Sequence, residues 1–252
     1  MRINQFISHN STHSRRQADE LIKNGFVKIN STKARLQDEV GDSDKVYIKD
    51  KQIIKKTKFS VIVYHKAKGE LVSKKDDRAR KTIYDNLPKS FSSWLSVGRL
   101  DYASEGLLLL TDSAVIASHL MQSDLEREYY IKLRGTINDK VIEAMNNGIE
   151  IQGKKGAHKN TKIDHMIIAP FLSHKILNVS ANYTRLKVLI NEGQNRELRR
   201  FFGYFDLEVL DLKRVAFGIV ELNKLKKGKY RYLTNNEYDK LRDFLKINNI
   251  RY

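Results

Sequence analysis

The sequence predicts an α+β protein in which a small N-terminal unit precedes a larger region of strands and helices. Three observations favour this fold class: an amphipathic helical pattern at the start, short strand-like runs after it, and a charged segment at 51–58 that is typical of a linker. The chain has 252 residues, of which 40% are hydrophobic, enough for one small and one medium-sized domain. We therefore predict one domain over 1–50 and a second over 59–252.

The N-terminal unit is predicted to begin with two helices. Ile3, Phe6 and Ile7 have helical spacing. The next segment offers Ser14 as a helix cap and Gly25 as the residue that ends the helix.

Two short strands are predicted next, at 26–29 and 45–48. Arg15 and Arg16 lie in the first turn of the second predicted helix, where cations oppose the helix dipole. We therefore interpret both arginines as phosphate ligands.

The larger region begins with a predicted strand over 59–63 and continues to a buried strand over the leucine run 107–110. Near the C-terminus an amphipathic helix is predicted, with Tyr238, Leu241 and Phe244 facing inward.

The charge of the chain favours a polyanionic partner. The formal net charge is +17, and such an excess opposes compactness through self-repulsion. Nucleic acid is the favoured partner, and a lysine-rich composition without functional meaning is the plainer alternative. A membrane surface is disfavoured, because no basic amphipathic helix or lipidation signal is present.

Several classes of site are excluded by what the sequence lacks. There is no cysteine, the seven histidines are scattered, and no Gly-rich phosphate loop occurs, so we expect neither a metal nor a cofactor. No signal peptide or membrane-spanning run is evident, which favours a soluble cytoplasmic protein.

One stretch, "SVGRLDYASEGLLLLTDS" at 96–113, places the carboxylate of Asp101 just before the most apolar run of the chain. A partly desolvated carboxylate tends to gain a proton unless a cation is near it. The plain interpretation is a turn in which Arg99 pairs with Asp101.

The same stretch resembles the "GRLDxxTxGLLLLT" motif of the pseudouridine synthases. Further segments match in order: "VIVYHKAKGELVS", "LEREYYIKLRG", "LINEGQNRELRRFF" and the C-terminal "LKRVAFGIVELNKLKKGKYRYLTNNE". The chain is most similar to the RsuA/RluB/RluE/RluF branch, and within it to the RluB type. The first unit resembles an S4 RNA-binding domain of the αL type. The resemblance implies a catalytic domain with a mixed, largely antiparallel sheet.

The resemblance also implies site residues. Asp101 corresponds to the catalytic aspartate, which attacks ribose C1′ or uracil C6. Tyr129 corresponds to the tyrosine that packs on the base, and Arg199 to the basic residue that pairs with the aspartate. Leu107 and Leu198 are candidate walls of the pocket.

Plainer alternatives exist for two of these assignments. Tyr130 is adjacent to Tyr129, and in a strand only one of the two can face the pocket. Arg196, Arg199 and Arg200 share one side if their segment is helical, so they could form a single phosphate-binding face. We interpret Arg199 as the inward residue and the other two as RNA contacts.

Lys66, Lys68 and Arg99 complete the predicted RNA-binding set. Two departures from the family pattern concern this region: Ser104 replaces a threonine but keeps the hydroxyl, and "HKAKG" at 65–69 lacks the asparagine and proline of "NKPKG". The loss of proline makes the positioning of the two lysines less fixed.

Pseudouridine formation is an isomerisation, which agrees with the absence of a cofactor motif, and it requires the uridine to leave its stack. The expected substrate is ribosomal RNA, specifically 23S large-subunit RNA, free or in an assembling subunit, and the expected state is a monomer. The alternatives are a synthase acting on 16S RNA or transfer RNA, and a non-catalytic RNA-binding or ribosome-assembly factor.

Overall fold

The first unit of the structure packs two helices against a small antiparallel sheet. The computed structural model describes residues 1–55, 58–157, 161–248 and 250. The sheet has the strand order β2-β1-β3-β4. The elements of this unit are α1 (Ile3–Asn10), α2 (Arg15–Lys23), β1 (Val27–Ile29), β2 (Thr32–Lys33), β3 (Val46–Ile48) and β4 (Lys51–Ile53).

Both predicted helices are confirmed. Ile3 and Ile7 are fully buried on the inner face of α1. Ser14 caps α2 by accepting a hydrogen bond from the backbone amide of Gln17, whose side chain accepts one from the Ser14 amide in return. Gly25 follows the helix with a φ of +71°, a conformation that glycine adopts without steric cost.

The predicted linker begins later than residue 51. Residues 51–53 form β4, which pairs with β3 and completes the edge of the first sheet. Charge alone suggested a solvated connection, but alternate side chains of an edge strand face solvent and tolerate charge. Residues 56 and 57 of the predicted linker lie outside the described residues.

The larger region is built on one mixed sheet. Its strands are β5 (Val61–Lys66), β6 (Leu95–Ser96), β7 (Glu105–Thr111), β8 (Arg127–Arg134), β9 (Ile149–Gln152), β10 (His165–Ile168), β11 (Ser173–Val179), β12 (Tyr183–Ile190), β13 (Glu208–Phe217), β14 (Val220–Glu221) and β15 (Tyr230–Tyr232). Its helices are α3 (Ala114–Gln122), α4 (Asp139–Asn147), α5 (Glu197–Tyr204) and α6 (Asn235–Ile247), with 3-10 turns at Ile83–Asp85 and Lys89–Phe91.

The main sheet has the order β11-β12-β8-β13-β7-β5-β15, with β14 added to β13 and β6 to β7. These pairs are antiparallel apart from β7 with β13, which run parallel. The predicted α+β class with a mixed, largely antiparallel sheet is confirmed. β9 and β10 form a separate hairpin.

The seam between β7 and β13 explains why the leucine run is preceded by glycine. Gly106 pairs with Arg214 across the seam and has a φ of +114°. A Cβ at this position would overlap the backbone carbonyl oxygen of Arg214. A side chain at 106 would therefore force the two halves of the sheet apart.

Apolar clusters cover both halves of the sheet. One joins β8, β12 and β13 to α4 and α5, and another joins β5 and β7 to α3 and α6. The buried strand predicted at 107–110 is confirmed within β7, and the strand predicted from residue 59 starts at Val61. Leu241 is buried in α6, with Tyr238 and Phe244 packed beside it. Among the described residues, no helix combines the length and apolarity needed to cross a bilayer.

Candidate active site

A cavity of about 240 Å³ opens between the loop before β7, the strands β8 and β13, and the start of α5. Its apolar lining includes Val97, Leu100, Ile190, Leu198, Leu212 and Phe217. Its polar and charged lining includes Arg99, Asp101, Ser104, Arg127, Tyr129, Arg196, Glu197 and Arg214.

Asp101 lies at this cavity with its side chain 29% exposed. One carboxylate oxygen, Oδ2, is 3.5 Å from Nε of Arg199 and 3.5 Å from Nη1 of Arg196. The predicted pairing with Arg199 is thus present, and a second guanidinium joins it. Arg99, the partner in the plainer interpretation, is exposed and forms no ion pair with Asp101 in the described part of the chain.

Arg199 is held in place by three acceptors besides the carboxylate. Its Nη1 donates to the Val209 carbonyl oxygen at 2.9 Å, and its Nη2 donates to Ala103 O at 3.2 Å and to Ser104 Oγ at 3.1 Å. Burial lowers the pKa of this guanidinium, and the Asp101 carboxylate opposes that shift. The hydroxyl kept at position 104 therefore orients the arginine.

Lys66 is not on an RNA-facing surface, which corrects the prediction that it binds RNA. Its side chain is fully buried, and Nζ donates to the carbonyl oxygens of Ala67 at 3.0 Å, Asp101 at 3.0 Å and Ser104 at 2.8 Å. Burial lowers its pKa to about 8, so it remains largely an ammonium near neutral pH. The three donors of the ammonium match the three carbonyls, and Lys66 fixes the loop that carries Asp101.

The strand β8 separates the two adjacent tyrosines. Arg127, Tyr129, Ile131 and Leu133 are buried, whereas Tyr130 on the other face is 42% exposed. Tyr129 is 7% exposed and lines the cavity. Tyr129, and not Tyr130, therefore faces the cavity that Asp101 also lines.

The remaining predicted RNA contacts divide into exposed and buried residues. Arg15, Arg16 and Arg99 are exposed, and Lys68 is a surface residue that pairs with Asp211. Arg196 is 22% exposed at the rim of the cavity.

Arg200 is buried, which corrects the prediction that it contacts RNA. It is 1% exposed, and its Nη2 donates to the Gly153 carbonyl oxygen at 3.1 Å. Burial excludes it from contact with RNA. The helix α5 begins at Glu197, so Arg196 precedes the helix and the three arginines do not form one solvated face.

Leu107 does not line the cavity, which corrects the prediction that it forms a wall of the pocket. Its side chain is fully buried in the cluster between β7 and α3, whereas Leu198 lines the cavity as expected. The leucine run thus forms the core of the domain. The apolar walls come from Leu100, Leu198 and Leu212, which are dispersed in sequence.

The sequence interpretation missed Arg127, Glu197 and Arg214, all of which line the cavity. Arg127 alternates with Tyr129 along β8, and Arg214 alternates with Leu212 along β13, so strand periodicity was the available signal.

Arg127 is bound by backbone oxygens of Ser123, Leu125 and Asn191. Glu197 is 4% exposed and accepts a hydrogen bond of 2.8 Å from the Gln194 amide. Burial raises the pKa of Glu197 to about 7.

The site combines an apolar-walled cavity with an ion-paired carboxylate. Within residues 1–55, 58–157, 161–248 and 250, no group of three or more acidic or histidine side chains could hold a metal ion. An ion-paired carboxylate, an aromatic ring and several oriented guanidiniums are suited to nucleophilic or charge-stabilising chemistry on an anionic substrate.

Comparison with known proteins defines the class. Residues 60–204 match the family described as RNA pseudouridylate synthase. A solved structure described as a pseudouridylate synthase superimposes with a TM-score of 0.65 at 26% identity, covering 96% of this chain and 99% of the other. The protein belongs to the RNA pseudouridylate synthase family, which confirms the expected enzyme class.

Individual relatives span almost the whole chain. It is 49% identical over 249 residues to an uncharacterized RNA pseudouridine synthase of Helicobacter pylori, covering 97% of this chain and 95% of the relative. It is 32% identical to ribosomal large subunit pseudouridine synthase B of Vibrio vulnificus, covering 93% and 72% of the two chains. The protein of that name from Buchnera aphidicola is 31% identical, with 98% of both chains covered.

Proposed function

We propose that this enzyme converts a specific uridine of large-subunit (23S) ribosomal RNA to pseudouridine, with Asp101 as the catalytic residue. The observation that carries the proposal is the contact of Asp101 with Arg199 at a cavity bordered by Tyr129. The similarity to two large-subunit synthases of type B supports the choice of RNA.

In the proposed mechanism the target uridine leaves its stack and enters the cavity, at a cost of a few kcal/mol that phosphate contacts offset. Arg99 and Arg196, at the rim, bind the backbone. The base packs on Tyr129, and Asp101 attacks either C1′ of the ribose or C6 of the base. Arg199 orients the carboxylate.

We further propose that the first unit, residues 1–53, is an S4-like domain that binds structured RNA by its shape and phosphates. Arg15 and Arg16 are exposed at the start of α2 and would contribute charge there. The enzyme would act as a monomer in the cytoplasm.

The test is pseudouridine mapping of total RNA from cells that lack the protein, complemented with the wild type or with Asp101→Asn. We expect one position of large-subunit RNA to lose pseudouridine and to regain it with the wild type alone. A change confined to small-subunit or transfer RNA would contradict the proposed substrate. Restoration by Asp101→Asn would remove the aspartate from its role.

A further inference from the structure

Arg214 is a buried cation whose side chain is only partly bonded. It is 4% exposed and lines the cavity from β13. Its Nε donates to the Leu107 carbonyl oxygen at 2.8 Å, which fixes the plane of the guanidinium. Its Nη2 is buried and has no hydrogen-bond partner among the residues that the structure describes.

Two other buried guanidiniums at the cavity have more hydrogen-bond acceptors, although Nε of Arg199 makes no hydrogen bond among the described residues and only faces the Asp101 carboxylate at 3.5 Å. Arg127 donates to three backbone oxygens, and Arg199 has three acceptors as well as Asp101. No carboxylate in the described ranges forms an ion pair with Arg214. A buried charge without an ionic partner is costly, so the guanidinium of Arg214, which lines the cavity, is suited to an acceptor that a ligand supplies.

The register of the sheet sets where that acceptor would lie. Arg214 of β13 is directly opposite Tyr129 of β8, and opposed residues of an antiparallel pair project from the same face. Both side chains line the same cavity. A base packed on the ring of Tyr129 would therefore lie next to the guanidinium of Arg214.

We propose that Arg214 binds a carbonyl oxygen of the uracil and stabilises the negative charge that develops on the base during the reaction. The inference rests on the proposed function, because it requires the target uridine to occupy this cavity. It adds a substrate-contacting residue to Asp101 and Tyr129.

The chemistry needs such a donor for either site of attack. Attack of Asp101 on C1′ expels the uracil with the electron pair of the C1′–N1 bond, and attack on C6 moves the C5=C6 pair toward O4. In both cases the charge reaches a carbonyl oxygen of the base. In the first route C5 then attacks C1′ and displaces the Asp101 carboxylate. In the second route the C1′–N1 bond breaks, C5 bonds to C1′, and the Asp101 carboxylate leaves C6. In both routes C5 loses its proton and N1 gains one, so atoms and electrons balance without another reactant.

A phosphate is the less suitable ligand for this group. Arg214 is buried next to Leu212 and near Phe217, whose ring centroid lies 5.4 Å from the guanidinium carbon. The backbone of the RNA meets the accessible guanidiniums at the rim, Arg99 and Arg196. The uracil is the part of the nucleotide that enters the cavity.

The experiment measures single-turnover pseudouridine formation at saturating enzyme, on an RNA that the wild type converts, with uridine, 2-thiouridine or 4-thiouridine at the target. Sulfur accepts hydrogen bonds weakly. We expect one thio substitution to slow the wild type and to have no added effect in Arg214→Met. On the unmodified RNA, Arg214→Met should be slower by about 10²-fold, as for the loss of an oxyanion-stabilising donor, with RNA affinity unchanged.

Lys213→Met is the matched control, because Lys213 precedes Arg214 on the same strand and points to the opposite face. It removes the same charge and should retain the wild-type rate. Arg214→Lys, which keeps the charge, provides a second variant if Arg214→Met fails to fold by circular dichroism.

Three results would overturn the proposal: a wild type insensitive to both thio substitutions, an Arg214→Met enzyme with the wild-type rate, or a defect in RNA affinity alone, which would indicate a phosphate ligand. Failure of the proposed function is distinguishable, since there the wild type converts no ribosomal RNA or Asp101→Asn retains activity.

Discussion

The ammonium of Lys66 lies 3.0 Å from the backbone carbonyl oxygen of Asp101, so a buried lysine anchors the main chain of the residue proposed to do the chemistry. The same ammonium bonds Ser104 at the other end of the turn. Arg199 meets the Asp101 carboxylate and the hydroxyl of Ser104. The acidic loop is therefore fixed by two cations, one at its backbone and one at its side chains.

Replacing Lys66 with methionine should destabilise the fold. It removes the donor to the carbonyl oxygens of Ala67, Asp101 and Ser104, of which that of Asp101 keeps another donor, the Ser104 amide. We expect a loss of about 2 to 3 kcal/mol in the free energy of unfolding, measured with urea. Lys68→Met is the control, because Lys68 is 40% exposed and an exposed ion pair contributes at most about 1 kcal/mol. Equal stability of the two variants would contradict the anchoring role.

Variants of Arg199 and Arg196 should have different effects, the first on turnover and the second on RNA binding. Arg199→Met removes the oriented partner of Asp101, so we expect kcat to fall by at least about 10²-fold with only a moderate loss of RNA affinity. Arg196→Met should weaken RNA binding and lower the salt slope of the affinity by about one unit. A pure affinity defect for Arg199→Met, with normal turnover at saturating RNA, would move Arg199 into the RNA-binding set.

The adjacent tyrosines provide a matched pair of variants. Tyr129→Leu removes the ring from the cavity and should slow pseudouridine formation, because base–aromatic stacking contributes about 1 to 3 kcal/mol. Tyr129→Phe retains the ring and reports on the hydroxyl alone. Tyr130→Leu acts on the exposed face and should leave the single-turnover rate unchanged. A larger defect in the Tyr130 variant would reverse the assignment.

Glu197 should make stability depend on pH. Burial raises the pKa of the Glu197 carboxyl from 4.5 to about 7. The stability that the protein has with this carboxyl protonated is therefore fully present below pH 4.5 and is lost as the pH rises through 7. When the pH is raised from 5 to 8, the unfolding free energy of Glu197→Gln should increase by about 2 to 3 kcal/mol relative to that of the wild type. Glu126→Gln, at an exposed carboxylate, should follow the wild type at both pH values. A constant difference between Glu197→Gln and the wild type would contradict a raised pKa.

Periodic patterns predicted the local elements well. The spacing of Ile3 and Ile7, the cap at Ser14 and the run 107–110 each reflect interactions within one segment or burial of a whole segment. The strand over 51–53 was missed, because its charged sequence lacks an apolar face and its pairing with β3 depends on tertiary context.

The burial of individual charged residues was the feature hardest to predict from the sequence. Lys66 and Arg200 occur in basic stretches that suggest a solvated surface, yet both are buried by segments distant in sequence. Their burial depends on carbonyl oxygens supplied by other loops, such as that of Gly153 for Arg200. Arg214 was missed for the same reason, although its alternation with Leu212 indicates an inward position.

The seam between β7 and β13 has one further consequence. Asp101 belongs to the half of the sheet that contains β7, whereas Tyr129 and Arg214 belong to the other half, and β7 and β13 are in register at only two residue pairs. A ligand that contacts both Asp101 and Tyr129 bridges this seam and links the two halves of the sheet. Binding of a ligand in the cavity should therefore stabilise the sheet at the seam between β7 and β13, where only two residue pairs are in register.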